Sequence, residues 1–275
     1  MMSLSVPATY AAAQSTLIDT TKIGDNPKAG HYIHLRGFNM YYETYGSGLP
    51  LLMIHGNGGS ISNFMYQVPF FAKTFKVIVA DSRAQGKSID KGDSLSYEMM
   101  ADDMNALLDS LKLYQCLVIG WNDGAISGLL LAMHHPDKVR KLAVTGARLS
   151  PDTSALDAAT VKWALDYNSS FDRLEQTDAT KNRYKVAKLL SFQPHIAAAD
   201  LKKITCPVLV IAGDHDIVLT KHTMLIASSI PQSYLWIVPG TGNAIPVDKK
   251  DEFNNVVDDF FIRPYKKIEG LDRFN

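Results

Sequence analysis

The stretch Cys116-Leu117-Val118-Ile119-Gly120-Trp121-Asn122-Asp123-Gly124 carries the chain from an apolar run, through a tight turn, into a helical pattern. Residues 115–120 have the length and the apolar composition of a buried strand. Small residues on both sides of the turn permit a sharp bend, and the helix that follows ends at Pro136. The stretch therefore predicts a central strand, a sharp turn centred on Asn122 and a helix.

Strand patterns and helical patterns alternate along most of the chain. Short apolar runs rich in β-branched and aromatic residues are separated by longer segments of helical period, of which residues 96–111 are one. This alternation is typical of an α/β fold, a mostly parallel central sheet flanked by helices. The predicted strands are residues 31–35, 39–44, 51–55, 75–80, 115–120, 142–145, 207–212 and 234–238.

One segment interrupts the alternation. Residues 150–196 are polar, helical in pattern and without a strand-like run, so we expect a small helical cap inserted over the edge of the sheet. The cap divides the predicted core into a first part, residues 29–149, and a second part, residues 197–275. Residues 1–28 fit no element of this core and are predicted to form a flexible leader.

Composition and charge argue against several classes of protein. The 275 residues include 28 Lys and Arg and 28 Asp and Glu, so the formal net charge is zero. Such a chain lacks the basic surface that binds nucleic acid or acidic membranes. No run approaches the roughly 18 consecutive apolar residues of a membrane-spanning helix. We therefore expect no nucleic-acid partner and no membrane span.

The two cysteines bear on where the protein resides. Cys116 and Cys206 each stand at the head of an apolar run, where a small reduced thiol packs well. Two reduced core cysteines predict a cytoplasmic protein. Ala11-Ala12-Ala13-Gln14 resembles a signal cleavage site, although no basic segment and no long apolar segment precedes it. An exported form follows only if residues 1–28 derive from a signal.

Further motifs accompany the turn at Asn122. Four of them follow predicted strands, in the order His55-Gly56-Asn57-Gly58-Gly59, Asp81-Ser82-Arg83-Ala84-Gln85-Gly86-Lys87-Ser88, Ile211-Ala212-Gly213-Asp214-His215-Asp216 and Pro239-Gly240-Thr241-Gly242-Asn243-Ala244-Ile245-Pro246. Residues 120–124 add the small-x-nucleophile-x-small spacing of a nucleophile elbow. In this order the motifs resemble those of the α/β-hydrolase family of serine esterases and lipases, over about residues 31–262. The resemblance implies the α/β-hydrolase fold.

The resemblance also implies which positions carry the site. Asn122 stands at the nucleophile position, Asp216 at the position of the triad acid and Asn243 at the position of the triad histidine. The backbone N–H groups of Asn57 and Asp123 would form the oxyanion hole. The chain order of nucleophile, acid and base is the order that the family uses.

Asparagine at two of these three positions removes the chemistry of the family. A carboxamide is neither a nucleophile nor a useful proton acceptor near neutral pH, and loss of Ser or His from a triad costs about a millionfold in kcat. We therefore expect an ester-hydrolase relative that is catalytically impaired but retains a pocket for a small apolar or ester-like molecule. We expect no metal and no cofactor, because no group of His, Cys, Asp or Glu shows ligand spacing.

Other interpretations remain open. One is an active hydrolase of esters or related acyl substrates that uses a non-standard mechanism, with Asp216 as the base for a water molecule. Another is an interaction protein that uses the fold as a scaffold. Asp123 also invites comparison with an aspartyl nucleophile, although it lies one residue past the tip of the turn. The substrate class stays open among esters, lactones, amides and epoxides, because specificity depends on the cap.

Several other side chains near these motifs have both a structural and a functional interpretation. Aromatic residues of the turn and the cap either wall a pocket or pack the cap on the core, namely Trp121, Trp163, Tyr167, Phe171 and Tyr184. The nearby hydroxyls and imidazoles match no triad position and are expected to be structural or solvated, namely Ser60, Ser62, Ser127, His55, His215 and His222.

Overall fold

A single twisted sheet forms the centre of the molecule. The computed structural model describes residues 18–175 and 177–269, and its strands are β1 (Gly30–Leu35), β2 (Phe38–Tyr45), β3 (Leu49–Ile54), β4 (Phe75–Ala80), β5 (Cys116–Trp121), β6 (Val139–Thr145), β7 (Val208–Gly213) and β8 (Ser233–Val238). Their order across the sheet is β1-β2-β4-β3-β5-β6-β7-β8. Among these eight strands of the described residues, β1–β2 and β2–β4 pair antiparallel, and the other neighbours pair parallel. The predicted mostly parallel sheet is confirmed.

Helices cover both faces of this sheet. They are α1 (Val68–Phe71), α2 (Tyr97–Ser110), α3 (Asp123–His134), α4 (Ala158–Ser169), α5 (Asp178–Phe192), α6 (Thr220–Ser229), α7 (Ile245–Asp248) and α8 (Lys250–Ile262). Short 3-10 helices add Thr20–Lys22, Ile61–Phe64, Ser170–Arg173 and Ala198–Lys203. The helix predicted at 96–111 begins where the Ser96 hydroxyl accepts a hydrogen bond from the Met99 N–H, which is a standard N-cap arrangement.

The core lies in two layers because successive residues of a strand point to opposite faces. From β3, Leu52 and Ile54 face one layer, with α2 and α3, while Leu51 and Met53 face the other, with α8. The central strands are therefore apolar on both faces, as their uninterrupted apolar runs predicted.

The chain between β6 and β7 forms α4 and α5, which pack on each other. The predicted cap at residues 150–196 contains both helices. An isolated bridge between Leu156 and Val218 ties its start to the loop after β7. That this segment acts as a separate cap remains a prediction.

The predicted leader has two parts in the structure. Residues 1–17 lie outside the described residues. Ile23 is buried, and the backbone N–H groups of Gly24 and Asn26 each donate to the Glu43 carboxylate on β2 at 2.9 Å. Residues 23–26 therefore pack on the core, because their backbone N–H groups supply hydrogen bonds to the buried Glu43 carboxylate of β2.

Two further expectations can be compared with the structure. Cys116 and Cys206 are both free and buried, as predicted, and burial raises the pKa of each thiol to about 12. Over residues 18–175 and 177–269, no helix combines the length and the hydropathy that a bilayer crossing demands.

Candidate functional site

The turn between β5 and α3 is as sharp as its glycines predicted. Asn122 has φ 53° and ψ −116°, a left-handed φ that asparagine tolerates better than most residues. A Cβ atom at Gly120 would collide with the carbonyl of Gly124, and one at Gly124 with the carbonyl of Ile54. Gly124 is therefore required because the turn packs directly against the end of β3, and Gly120 because the start of α3 lies directly against β5.

The side chain of Asn122 is held by two backbone donors. Its Oδ1 accepts from the Asp123 N–H at 2.9 Å and lies 3.5 Å from the Asn57 nitrogen, which also donates to it. These are the two N–H groups that the family resemblance assigned to an oxyanion hole. In this structure both converge on the protein's own carboxamide oxygen.

A chain of hydrogen bonds continues from Asn122 to the half-buried acid Asp216. Asn122 Nδ2 donates to Asn243 Oδ1 at 3.3 Å, and Asn243 Nδ2 donates to Asp216 Oδ1 at 2.9 Å. The Trp121 indole N–H donates to the Asn243 carbonyl at 2.9 Å and to its Oδ1 at 3.3 Å. The structure thus brings together three predicted site residues from the ends of β5, β7 and β8.

Asp216 is the charged end of this chain. Burial raises the pKa of its carboxyl above the ordinary 3.8, while hydrogen bonds from Asn243 and from the Val218 N–H act in the opposite direction. Its Oδ2 is buried, and no residue of the described chain donates to it. Across residues 18–175 and 177–269, no three His, Cys, Asp or Glu side chains are grouped so as to hold a metal ion.

Asp123 points away from the tip of the turn. Its buried carboxylate accepts from Asn57 Nδ2 at 2.7 Å and lies 4.0 Å from Arg148 Nη2, and burial raises the pKa of this carboxyl. Asn57 Nδ2 also donates to the Val186 carbonyl of α5 at 3.1 Å. The sequence indicates a role only for the backbone of Asn57, because these side-chain partners lie 66 and 129 positions away.

The other serines and histidines have structural partners or face solvent. Ser127 donates to the Asp123 carbonyl within α3, and Ser60 and Ser62 bond to each other at the surface. His55 accepts from the Ser82 N–H and His222 from the Leu149 N–H, both at 3.0 Å, while His215 lies exposed beside Asp214. These contacts agree with the structural roles expected from the sequence.

A cavity of about 270 Å³ opens beside Asn122 and Asn243. Its lining comes from the loop after β3, the turn, α4, α5 and the loops after β7 and β8, namely Gly56, Asn57, Gly59, Asn63, Trp121, Asn122, Trp163, Leu190, Ile217 and Asn243. Of the five aromatic candidates, Trp121 and Trp163 therefore line the cavity. The other three pack in series outside its lining, with ring centroids 5.2 Å apart for Tyr167–Phe171 and 5.8 Å for Phe171–Tyr184.

Comparison with known proteins agrees with this geometry. The profile of the alpha/beta hydrolase fold family matches residues 50–183, which run from β3 through the turn at Asn122 into α5. With the sheet order and the strand-turn-helix geometry described above, the match shows that this chain has the α/β hydrolase fold.

Particular relatives extend over most of the chain. It is 28% identical over 269 residues to the 2-hydroxymuconate semialdehyde hydrolase of Pseudomonas sp. (strain CF600), covering 86% of this chain and 95% of that protein. Among solved structures, Est816, described as an N-acyl homoserine lactone degrading enzyme, superposes with a TM-score of 0.70 at 22% identity, covering 84% and 100% of the two chains. A meta-cleavage product hydrolase from Pseudomonas fluorescens IP01 gives 0.69 at 20%, covering 86% and 98%. The structural likenesses establish the fold.

Proposed function

We propose that this chain is a catalytically impaired member of the α/β hydrolase fold family that binds a small neutral molecule in the cavity beside Asn122. One observation carries the proposal. The carboxamides of Asn122 and Asn243 occupy the places of a nucleophile and a base, hydrogen-bonded in sequence to the Asp216 carboxylate. The frame of a catalytic triad is present, and the groups that would react are absent.

The carboxamides cannot substitute for the groups they replace. The nitrogen lone pair of a carboxamide is delocalised into its own carbonyl, so the carboxamide is a poor nucleophile near neutral pH and neither gains nor loses a proton there. Without Ser and His, a triad retains only the contribution of binding and oxyanion stabilisation, about a thousandfold over water.

Occupation of the oxyanion site adds a second obstacle. Acyl transfer requires preorganised donors directed at the oxygen on which negative charge develops. Here the N–H groups of Asn57 and Asp123 are already directed at Asn122 Oδ1. A substrate carbonyl would have to displace a side chain that belongs to the turn itself.

The lining of the cavity indicates the class of ligand. Among the described residues that line it there is no lysine and no arginine, and the nearby Asp216 carboxylate disfavours an anion. Of the two N–H bonds of Asn122 Nδ2, one serves Asn243, which leaves the other as a donor at the cavity wall. Trp121, Trp163, Leu190 and Ile217 supply apolar surface. We therefore propose a small neutral compound with one carbonyl acceptor and an apolar body.

The alternative of an active hydrolase has one supporting observation. The Oδ2 atom of Asp216 is buried and has no hydrogen-bond donor in the described structure. The pKa of this carboxyl is raised, and a higher pKa favours the role of a general base. The Asn243 side chain, however, lies between Asp216 and Asn122. A water attacking a carbonyl beside Asn122 would therefore not contact this carboxylate. The test of this alternative is loss of ester turnover in Asp216→Asn.

Calorimetric titration tests the proposed ligand class. The matched probes are a neutral medium-chain lactone and the hydroxycarboxylate that its hydrolysis would give. We expect saturable binding of the lactone, its recovery unchanged afterwards, and at least tenfold weaker binding of the anion, which corresponds to about 1.4 kcal/mol.

A pair of variants tests whether the lactone binds in the cavity. Leu190→Phe fills the cavity and should weaken lactone binding by about tenfold or more, whereas Leu165→Phe, on the exposed side of α4, should leave it unchanged. Binding of neither probe, or lactone binding unaffected by Leu190→Phe, would contradict the proposal.

A further inference from the structure

The backbone of Asn122 brings its side chain and the next peptide nitrogen together. Around the Cα–C bond of an L-residue, Cβ lies about 120° from the amide nitrogen, so ψ of −116° makes the nitrogen of Asp123 nearly eclipse Cβ. The hydrogen bond of 2.9 Å from that nitrogen to Asn122 Oδ1 reports the same proximity. The turn therefore holds the Asp123 nitrogen beside the carboxamide carbon, Cγ.

The surroundings favour a reaction between these two atoms. The Asp123 N–H belongs to the first residue of α3, so no intrahelical hydrogen bond occupies it. Asn57 supplies a second N–H toward Asn122 Oδ1, where negative charge would develop if Cγ were attacked. Asn122 also lines the cavity, so water can reach it.

From this geometry we infer that Asn122 is a site of self-modification, at which the folded chain converts asparagine into aspartate and isoaspartate through a cyclic imide. The Asp123 nitrogen forms a bond to Cγ, and the Cγ–Nδ2 bond breaks. The proton of the Asp123 nitrogen leaves with Nδ2 as ammonia. Water then opens the five-membered ring at one of its two carbonyl carbons.

The two ring openings have different consequences. Opening at Cγ restores the main chain and leaves a carboxylate at position 122, which the N–H groups of Asn57 and Asp123 can still bind. The N-terminus of the 12-residue helix α3 favours that negative charge. Opening at the backbone carbon routes the main chain through Cβ and Cγ, which lengthens the turn.

Two other asparagines in the chain serve as internal comparators. Asn57 precedes Gly58, and a residue without Cβ offers the least hindrance to ring closure in an unfolded chain. In the folded chain, the Asn57 carboxamide is held by Asp123 and by the Val186 carbonyl. Asn243 lines the same cavity as Asn122, so it is a comparator with access to the same cavity water.

The experiment is prolonged incubation of the purified chain in mildly alkaline buffer, with and without denaturing urea, followed by peptide mass spectrometry and an isoaspartate assay. In the folded chain we expect conversion at Asn122 about tenfold or more faster than at Asn57 and Asn243, with both aspartate and isoaspartate formed. In urea we expect Asn57 to convert first and Asn122 to slow by about tenfold.

The control variant is Asn122→Gln, in which ring closure needs a six-membered ring and ammonia loss at position 122 should disappear. Three results would overturn the inference: an intact Asn122 in the folded chain, equal conversion of Asn122 with and without urea, or equal conversion of Asn122 and Asn243 without isoaspartate. Each is independent of ligand binding, so this inference and the proposed function stand or fall separately.

Discussion

At the scale of single residues, the two asparagines preserve the hydrogen bonds of the site but supply neither a nucleophile nor a base for ester hydrolysis. A carboxamide carries both donors and an acceptor, so Asn243 can donate to Asp216 while it accepts from Asn122. Asn122 in turn accepts from two backbone N–H groups while it donates to Asn243. We interpret the site as a hydrogen-bonded frame that satisfies its buried polar atoms with neutral groups.

Asp216 is the exception within this frame, because its buried Oδ2 has no hydrogen-bond donor in the described structure. Its folded-state pKa is raised by burial, so its contribution to stability is greatest below the unfolded pKa of about 3.9 and is lost as the pH rises through the folded pKa. We expect Asp216→Asn to unfold at higher urea concentration than the unaltered chain at neutral pH. The gain should be about 1 kcal/mol, the order of the cost of an unsatisfied buried polar atom.

Two measurements test whether the charge of Asp216 causes this gain in stability: its dependence on pH and the same substitution at the neighbouring Asp214. The gain from Asp216→Asn should vanish in urea titrations below the unfolded pKa, because the carboxyl of Asp216 is then protonated and neutral, like the carboxamide that replaces it. Asp214, which lies two residues earlier and is exposed, has a lowered pKa because of its hydrogen bond with His215, so Asp214→Asn should give no gain at neutral pH. A gain that persists in acid would contradict the electrostatic explanation.

At the scale of elements, α5 is the helix that connects the predicted cap to the core. Lys185 Nζ bonds the Asp90 carboxylate at 2.6 Å, and the Asn182 carboxamide bonds both the N–H and the carbonyl of Asp90. The Val186 carbonyl, on the residue after Lys185, accepts from Asn57, and Leu190, one turn beyond Val186, lines the cavity. The position of one cavity wall therefore depends on polar contacts to the loop after β4.

Removal of Lys185 should weaken this attachment. Lys185→Met leaves the buried Asp90 with fewer donors, although Arg83 Nη1 still lies 3.2 Å from it. Loss of one partner of a buried ion pair costs about 3 kcal/mol, and urea unfolding measures that loss directly. The matched change Lys181→Met, on the exposed side of α5, should stay within about 0.5 kcal/mol of the unaltered chain. Equal stability of the two variants would refute the role of the pair.

At the scale of the whole molecule, the sheet order explains why distant residues meet. The parallel strands β5, β7 and β8 end at the same edge, so the residues that follow them share one site although they lie up to 121 positions apart. Cavities of α/β folds form at this edge. The cavity volume of about 270 Å³ is near the small end for ligand sites, about 300 to 1,000 Å³, which agrees with a small ligand.

Features that depend on neighbouring residues could be predicted from the sequence, whereas contacts between distant residues could not. The strands and the turn at Asn122 follow from local patterns, since an uninterrupted apolar run or a pair of flanking glycines is visible within a few residues. The Asn57 carboxamide gave no such signal, because its bonds to Asp123 and Val186 exist only in the folded chain. Nor could the sequence show that Asn122 Oδ1 lies against both N–H donors, which depends on the backbone conformation of the turn.

The central claim, that this protein binds but does not turn over its ligand, is tested most directly by p-nitrophenyl butyrate hydrolysis. The unaltered chain is compared with Asn122→Ser, Asn243→His and the double variant. We predict no turnover above background for the unaltered chain and at least about a thousandfold more for the double variant, with neither single variant reaching it. Turnover by the unaltered chain that is lost in Asp216→Asn would contradict the account and favour a working hydrolase.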